Sequence, residues 1–180
     1  MDKKICCALL GHSPMRFRFG WDEEDSDCIR LKLVLLQQIQ MLRRDGVTQF
    51  MTACDPGVGL WCGEIINCLR DCDDELQLYC ILPYEEQATK WAPYLRERYF
   101  EMLEKCTYMS AVHTHKTPAA QFDAYKNIIK QSDVVLAVYD PASNRGDAVD
   151  RAITYAVTEQ KPIILVHPDT FSVTVSKAGN

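Results

Sequence analysis

The chain has 180 residues, 47% of them hydrophobic and 25% charged, with a formal net charge of −5. That length suits one domain with a sizeable core, and the composition excludes disordered and fibrous classes. The acidic balance argues against bulk capture of nucleic acid, which needs a basic surface, while leaving room for a local basic patch.

No run approaches the roughly 20 apolar residues of a membrane span, so no membrane partner is expected. Ile5-Cys6-Cys7-Ala8-Leu9-Leu10 is superficially like a signal peptide. It is short and runs into Gly11-His12-Ser13-Pro14 without a small-residue cleavage pattern, so it reads as a first strand in a cytoplasmic protein. The nine cysteines are odd in number and contain no Cys-x-x-Cys pair. Cys6, Cys7, Cys28, Cys68 and Cys80 fall in apolar or amphipathic runs and read as small buried hydrophobes. A zinc site from Cys62, Cys68, Cys72 and Cys80 lacks paired knuckles, and no metal or cofactor is expected.

Strand and helix signals then alternate through the chain. Ile5–Leu10, Val134–Tyr139 and Ile163–Val166 are continuous apolar runs, as expected of strands covered on both faces. Gln49–Thr52, Leu76–Leu82 and Tyr108–His113 are further strand candidates. Cys28, Leu31, Leu35, Ile39 and Leu42 make a helical stripe closed by Asp45-Gly46, and Trp61, Ile65, Cys68 and Leu69 make a second. Tyr94–Lys105 follows Pro93, Gln121–Gln131 is a fourth helix, and Val149, Ala152, Ile153, Ala156 and Val157 form a fifth. The alternation predicts a Rossmann-like three-layer α/β fold with a mostly parallel central sheet, residues 1–180 forming one domain.

In such a sheet, ligands sit beyond the carboxyl ends of the strands, where helix N-termini present free N–H groups. After the first strand, His12 can donate a hydrogen bond, and Arg16 and Arg18 can reach an anion. The acids Asp22–Asp25 suit the start of a helix. After the second comes Thr52-Ala53-Cys54-Asp55-Pro56-Gly57-Val58-Gly59, whose glycines allow close approach of a phosphate or simply a tight turn. This is neither a Walker loop nor a GxGxxG fingerprint. Glu64 lies further along the helix that follows. After the third strand, Tyr84 and Gln87 are placed to touch a base or ribose, and Trp91 reads as core. After Val134–Tyr139, Arg145 and Gly146 can cradle a phosphate, but Asp147 brings a carboxylate that would cap the helix itself and repel an anion. Cys54 can favour a thiolate near a helix start, opposed by Asp55 beside it, and His113 with His115 is weak evidence for a metal. No Ser-His-Asp order, nucleophile elbow or H-E-x-x-H motif is present.

Gly11-His12-x-Pro14, Phe19-Gly20-x-Asp22-Glu23-Glu24-Asp25, Gly57-Val58-x-x-Trp61-x-x-Glu64, Leu82-Pro83-x-x-x-Gln87-x-x-x-Trp91 and Arg96-Glu97-Arg98-Tyr99 follow one another in order. Together with Ser132-Asp133-x-x-x-Ala137-Val138-Tyr139-Asp140 and Pro168-Asp169-Thr170, they resemble the YpsA-like family of the SLOG superfamily. More distantly the chain is similar to the DprA and LOG proteins. The resemblance implies a fold that binds nucleotides, their derivatives or single-stranded nucleic acid, and a homodimer. Loop position and the resemblance together give Gly11, His12, Thr52, Gly57, Glu64, Tyr84, Gln87, Arg96, Arg98, Arg145 and Gly146 as candidate ligand-binding positions. LOG enzymes hydrolyse nucleoside monophosphates, and Asp150 falls where they place a glutamate, with a shorter reach. Departures from the family pattern at Leu10, Ser13, Ala53, Gly59, Ala124-Tyr125 and Arg145-Gly146-Asp147 fall mostly on presumed ligand loops.

The expected function is binding of a nucleotide-like small molecule, as sensor or regulator. The alternatives are an N-glycosidic hydrolase using Glu64 or Asp150, with Arg96 or Arg98 holding the phosphate, and a protein-interaction module on a decayed site.

Overall fold

The computed structural model describes residues 4–176. Seven strands form one sheet in the order β4-β3-β2-β1-β5-β6-β7: β1 (Ile5–Gly11), β2 (Val47–Thr52), β3 (Gln77–Tyr84), β4 (Tyr108–His113), β5 (Val134–Val138), β6 (Ile163–Val166) and β7 (Val173–Ser176). All neighbours are parallel except β6 and β7. Helices α1 (Ser26–Arg44), α2 (Val58–Arg70) and α3 (Pro93–Lys105) connect the strands from β1 out to β4. Helix α4 (Ala120–Gln131) crosses back from β4 to β5, on the other side of β1, and α5 (Ala148–Thr158) connects β5 to β6. Two apolar clusters result. One holds the α1, α2 and α3 stripes against Cys7, Leu9, Phe50 and Leu78. The other holds α4 and α5 against Ala8, Leu10, Val135 and Ala137. Alternate residues of β1 feed opposite layers, as the two-residue strand period requires. The fold is the Rossmann-like three-layer α/β arrangement, and the strand order reverses between β1 and β5.

Helix α1 is the element the sequence specifies most fully. Asp25 caps it by accepting from the Asp27 amide at 2.8 Å. The buried set is Cys28, Leu31, Leu35, Ile39 and Leu42, and Gly46 ends the turn at φ +96°. Helix α2 differs from the stripe expected of it. Its N-terminal half, Val58 to Gly63, is buried all round, while Cys68 is exposed and Ile65 and Leu69 only border the core. The helix is sandwiched between sheet and flanking helices, so helical periodicity fades there. Val157 of the α5 stripe also points outward, at 62% exposure. Strand β7 has no counterpart in the apolar pattern because all four of its residues are exposed. Among the described residues, no helix is long and apolar enough to cross a membrane.

Gly11 ends β1 beside Val138. A Cβ at this position would lie 2.6 Å from Val58 Cγ2 and 2.9 Å from Val58 Cβ, so a side chain there would push α2 off the sheet. Gly11→Ala is expected to destabilise the fold by about 1–3 kcal/mol, the usual cost of overpacking, measured as a lower urea midpoint with unchanged slope.

Candidate functional site

The reversal of strand order opens a crevice at the carboxyl ends of β1, β2 and β5, where α2, α4 and α5 also begin. Its floor is His12. The residue is buried, its amide donates to Val138 O at 3.1 Å, and the Asp140 amide donates to its Nε2 at 2.9 Å. Nε2 therefore accepts, and the neutral ring carries its proton on Nδ1. That buried donor has no partner. Burial, and then the Arg16 guanidinium, push the imidazole down to about 4.

A 3-10 turn at Pro14–Arg16 carries Arg16 across the crevice, with its side chain only 4% exposed. Its Nη1 donates to Asp147 at 2.7 Å and to both Asp150 oxygens at 3.3 Å, and Nη2 donates to the Ser143 carbonyl. The same carboxylates close the α5 N-terminus. Asp147 Oδ1 accepts from the amides of Val149 and Asp150 at 3.0 and 3.1 Å. Asp150 Oδ2 accepts from those of Arg145 and Asp147 at 2.8 and 3.0 Å. This is a capping box built from two aspartates. Burial opposes ionisation of Asp150, but the Arg145 and Asp147 amides, the Tyr139 hydroxyl and Arg16 outweigh it and hold the carboxyl near 2.

On the β2 side, Thr52 is buried; its hydroxyl donates to Gly59 O at 3.0 Å and accepts from the Cys54 amide at 3.0 Å. It shapes the turn. Cys54 adopts a left-handed φ of +59°, and Gly57 takes φ +88°, where a Cβ would lie 3.2 Å from Pro14 Cγ and Cδ. No side chain caps α2. Asp55 is buried between this turn and the Tyr125 phenol, its Oδ1 without a hydrogen bond. Burial pushes its carboxyl up to about 6. Gln121, next to Tyr125 on α4, has a buried Nε2 that is also unpartnered, as is Arg16 Nε.

The crevice thus gathers Gly11, His12, Thr52, Gly57, Arg145, Gly146 and Asp150 from the sequence-derived set. The Arg145 side chain is exposed, and Gly146 bends at φ +72°. Gln87 borders it from the α3 side: its Nε2 donates to Ala53 O at 3.1 Å and its Oε1 accepts from Tyr99 at 3.2 Å. Tyr84 ends β3 next to His113. Glu64 and Arg98 lie elsewhere, paired with each other across α2 and α3 at 2.7 Å, with Glu23 on Arg98 at 2.9 Å. Arg96 is exposed and reaches only the Thr89 carbonyl at 3.5 Å. Asp55, Gln121, Tyr125 and Tyr139 were not picked out by sequence reasoning as ligand contacts, because each sits inside an apolar or turn pattern that explains it locally.

His113 pairs with Asp123 at 2.8 Å and His115 with Glu86 at 3.6 Å. Cys62 and Cys80 are buried while Cys68 and Cys72 are exposed, and among the described residues no group of His, Cys, Asp and Glu is arranged to hold a metal.

The fold defines a Rossmann-like protein whose strand order reverses between β1 and β5. The family model YpsA, described as the YspA SLOG family, matches residues 7–171, and the chain belongs to that family. A UPF0398 protein of Halalkalibacterium halodurans is 28% identical over 112 residues, 61% of this chain and 59% of that relative. The UPF0398 protein YpsA of Bacillus subtilis is 24% identical over 176 residues, covering 94% of this chain and 96% of the relative. Among solved structures, TM1055 aligns with a TM-score of 0.56 at 15% identity, covering 93% of this chain and 76% of that one. DNA processing protein A from Helicobacter pylori, described for its single-stranded DNA binding mode, aligns with a TM-score of 0.59 at 11% identity, over 91% of this chain and 66% of that one. Both likenesses concern the fold.

His12 and Asp55 bend stability in opposite directions with pH. The folded His12 value of about 4 lies below the ordinary 6.5, so its contribution is present above 6.5 and lost as pH falls toward 4. The folded Asp55 value of about 6 lies above the ordinary 3.8, so its contribution is present below 3.8 and lost as pH rises through 6. Urea unfolding between these limits is expected to show a steeper acid loss for Asp55→Asn than for the unaltered chain. Parallel curves would show that Asp55 titrates normally.

Proposed function

We propose that this chain binds a nucleotide-like small molecule in the β1–β5 crevice and acts through binding, as a sensor or regulator. The observation that carries this reading is that four of the six unpaired buried side-chain polar atoms among the described residues belong to residues of this edge. They are His12 Nδ1, Arg16 Nε, Asp55 Oδ1 and Gln121 Nε2, with Thr48 Oγ1 and Trp61 Nε1 elsewhere. Buried polar groups are nearly always hydrogen-bonded, and leaving one unpaired costs about 1–3 kcal/mol. Three of the four edge atoms are donors and one belongs to a carboxyl. A ligand rich in acceptors and carrying hydroxyls, as a ribose and base do, complements that set. Hydrolysis is less well supported, since Asp150 is engaged by Arg16 and two amides, and Glu64 by Arg98.

A second reading is single-stranded nucleic acid, the ligand named for the Helicobacter pylori neighbour. On its side stands a groove of about 390 Å³ between α4 and α5. There Arg151 lies 4.0 Å over the Phe122 ring and Lys126 lies 5.7 Å from both Phe122 and Tyr155. Aromatic and cationic side chains together make a stacking platform. The net charge of −5 stands against it.

A thermal-shift screen over nucleosides, nucleotides and dinucleotides is expected to raise the melting temperature with at least one compound. His12→Ala and Gln121→Ala should weaken that compound by about tenfold, roughly the worth of one buried hydrogen bond, while Arg98→Ala leaves its affinity unchanged. The reverse pattern would move the site to the α2–α3 face. An oligothymidine that bound instead, with affinity falling steeply with salt and lost in Arg151→Glu, would favour the second reading.

A further inference from the structure

Two of the helix starts at the crevice carry a carboxylate of the chain, hydrogen-bonded to amides at α5 and standing with its Oδ1 unbonded over the first turn at α2. At α5, four amides donate to Asp147 and Asp150 at 2.8–3.1 Å, so the N–H groups that would grip a phosphate are occupied. The buried cation nearby, Arg16, is committed to the same two carboxylates. At α2, Asp55 stands over the first turn so closely that a Cβ on Gly59 would meet its Oδ1 at 2.7 Å. Asp140 adds a further carboxylate at the rim, 3.4 Å from His167. The one buried guanidinium of this edge is thus already paired with two of its carboxylates.

We propose that the crevice is selective for an uncharged, hydroxyl-bearing nucleoside and discriminates against its 5′-monophosphate. This rests on the reading of the crevice as a nucleotide-like site and names the substrate class within it. The unpaired groups fit that class: His12 Nδ1 and Gln121 Nε2 donate to sugar or base acceptors, and Asp55 Oδ1 receives a sugar hydroxyl. A phosphate dianion at the α5 start would have to displace Asp147 or Asp150 from their amides, and one at the α2 start would sit against Asp55 as a like charge.

Asp147 is the determinant open to a conservative test, because asparagine keeps the capping oxygen and removes the charge. Calorimetric titration of the full chain with adenosine, guanosine, cytidine and uridine, each beside its 5′-monophosphate, decides the matter. At least one nucleoside is expected to bind, with its monophosphate weaker by about tenfold or more at low salt. Asp147→Asn should narrow that ratio at least several-fold while leaving the nucleoside affinity nearly unchanged, with a lower melting temperature because the Oδ2 partner of Arg16 is lost. Raising the ionic strength should also narrow it. A monophosphate that binds as tightly as its nucleoside overturns the proposal and leaves the site reading standing. A ratio that Asp147→Asn does not change overturns the role of the α5 carboxylates. Silence from every compound of both series removes the site reading and this proposal with it.

Discussion

The buried contact of Arg16 with Asp147 and Asp150 is the constraint on which the carboxyl edge of the sheet depends. It ties the loop after β1 to the start of α5 across the point where strand order reverses. Burying the Arg16 and Asp150 charges is costly, and a buried ion pair is worth having only where the remaining lone pairs and protons find partners. Here the carboxylates take four amides besides the guanidinium. The desolvation of Asp150 is thereby offset by bonds a helix start must make in any case. The arrangement fixes the loops without needing a bound anion to do so.

That constraint explains how the rest of the edge is built. With α5 closed by its own residues, His12 is left under the loop, its ring 5.0 Å from Tyr139 and 6.4 Å from Phe17. Phe17 in turn stacks on Phe19 and Trp61, which carries the loop down onto α2. Glu23, further along the same segment, holds Lys32 and Arg98. One loop therefore touches the crevice, the core and the α2–α3 face. The Glu64–Arg98 pair belongs to the far end of this system, and its charges steady the packing of α3 on α2.

Much of the fold was legible in the sequence because its signals are local. The α1 stripe and the apolar runs of β1, β5 and β6 place those elements within a residue or two of their observed limits. Strand β7 was not, since an exposed antiparallel edge has no apolar pattern, although the Val-Thr-Val run has β propensity. The self-capping of α5 by Asp147 could be anticipated because a carboxylate at a helix start is a local motif. The crevice is different. Asp55 and Tyr125 are seventy residues apart in the chain, and only the passage of α4 over β1 and β3 brings the phenol to the carboxyl. Nothing near either residue in sequence announces that meeting.

The unpaired atoms sharpen what the crevice means physically. Several buried groups each leaving about 1–3 kcal/mol unrealised make up a substantial part of a typical folding stability of 5–15 kcal/mol. A chain that closes α5 so completely, with a capping box and a guanidinium, shows that its loops can satisfy polar groups when folding alone is at stake. Leaving His12, Asp55 and Gln121 incomplete a few side chains away departs from that local thoroughness. Such departures from local consistency are where function is ordinarily found. A molecule that completes these bonds binds the folded state alone, so it must stabilise the edge in proportion to its occupancy. On the proposed reading, the same incompleteness that weakens the free protein would give a ligand its hold on the loops, which is the coupling a sensor needs.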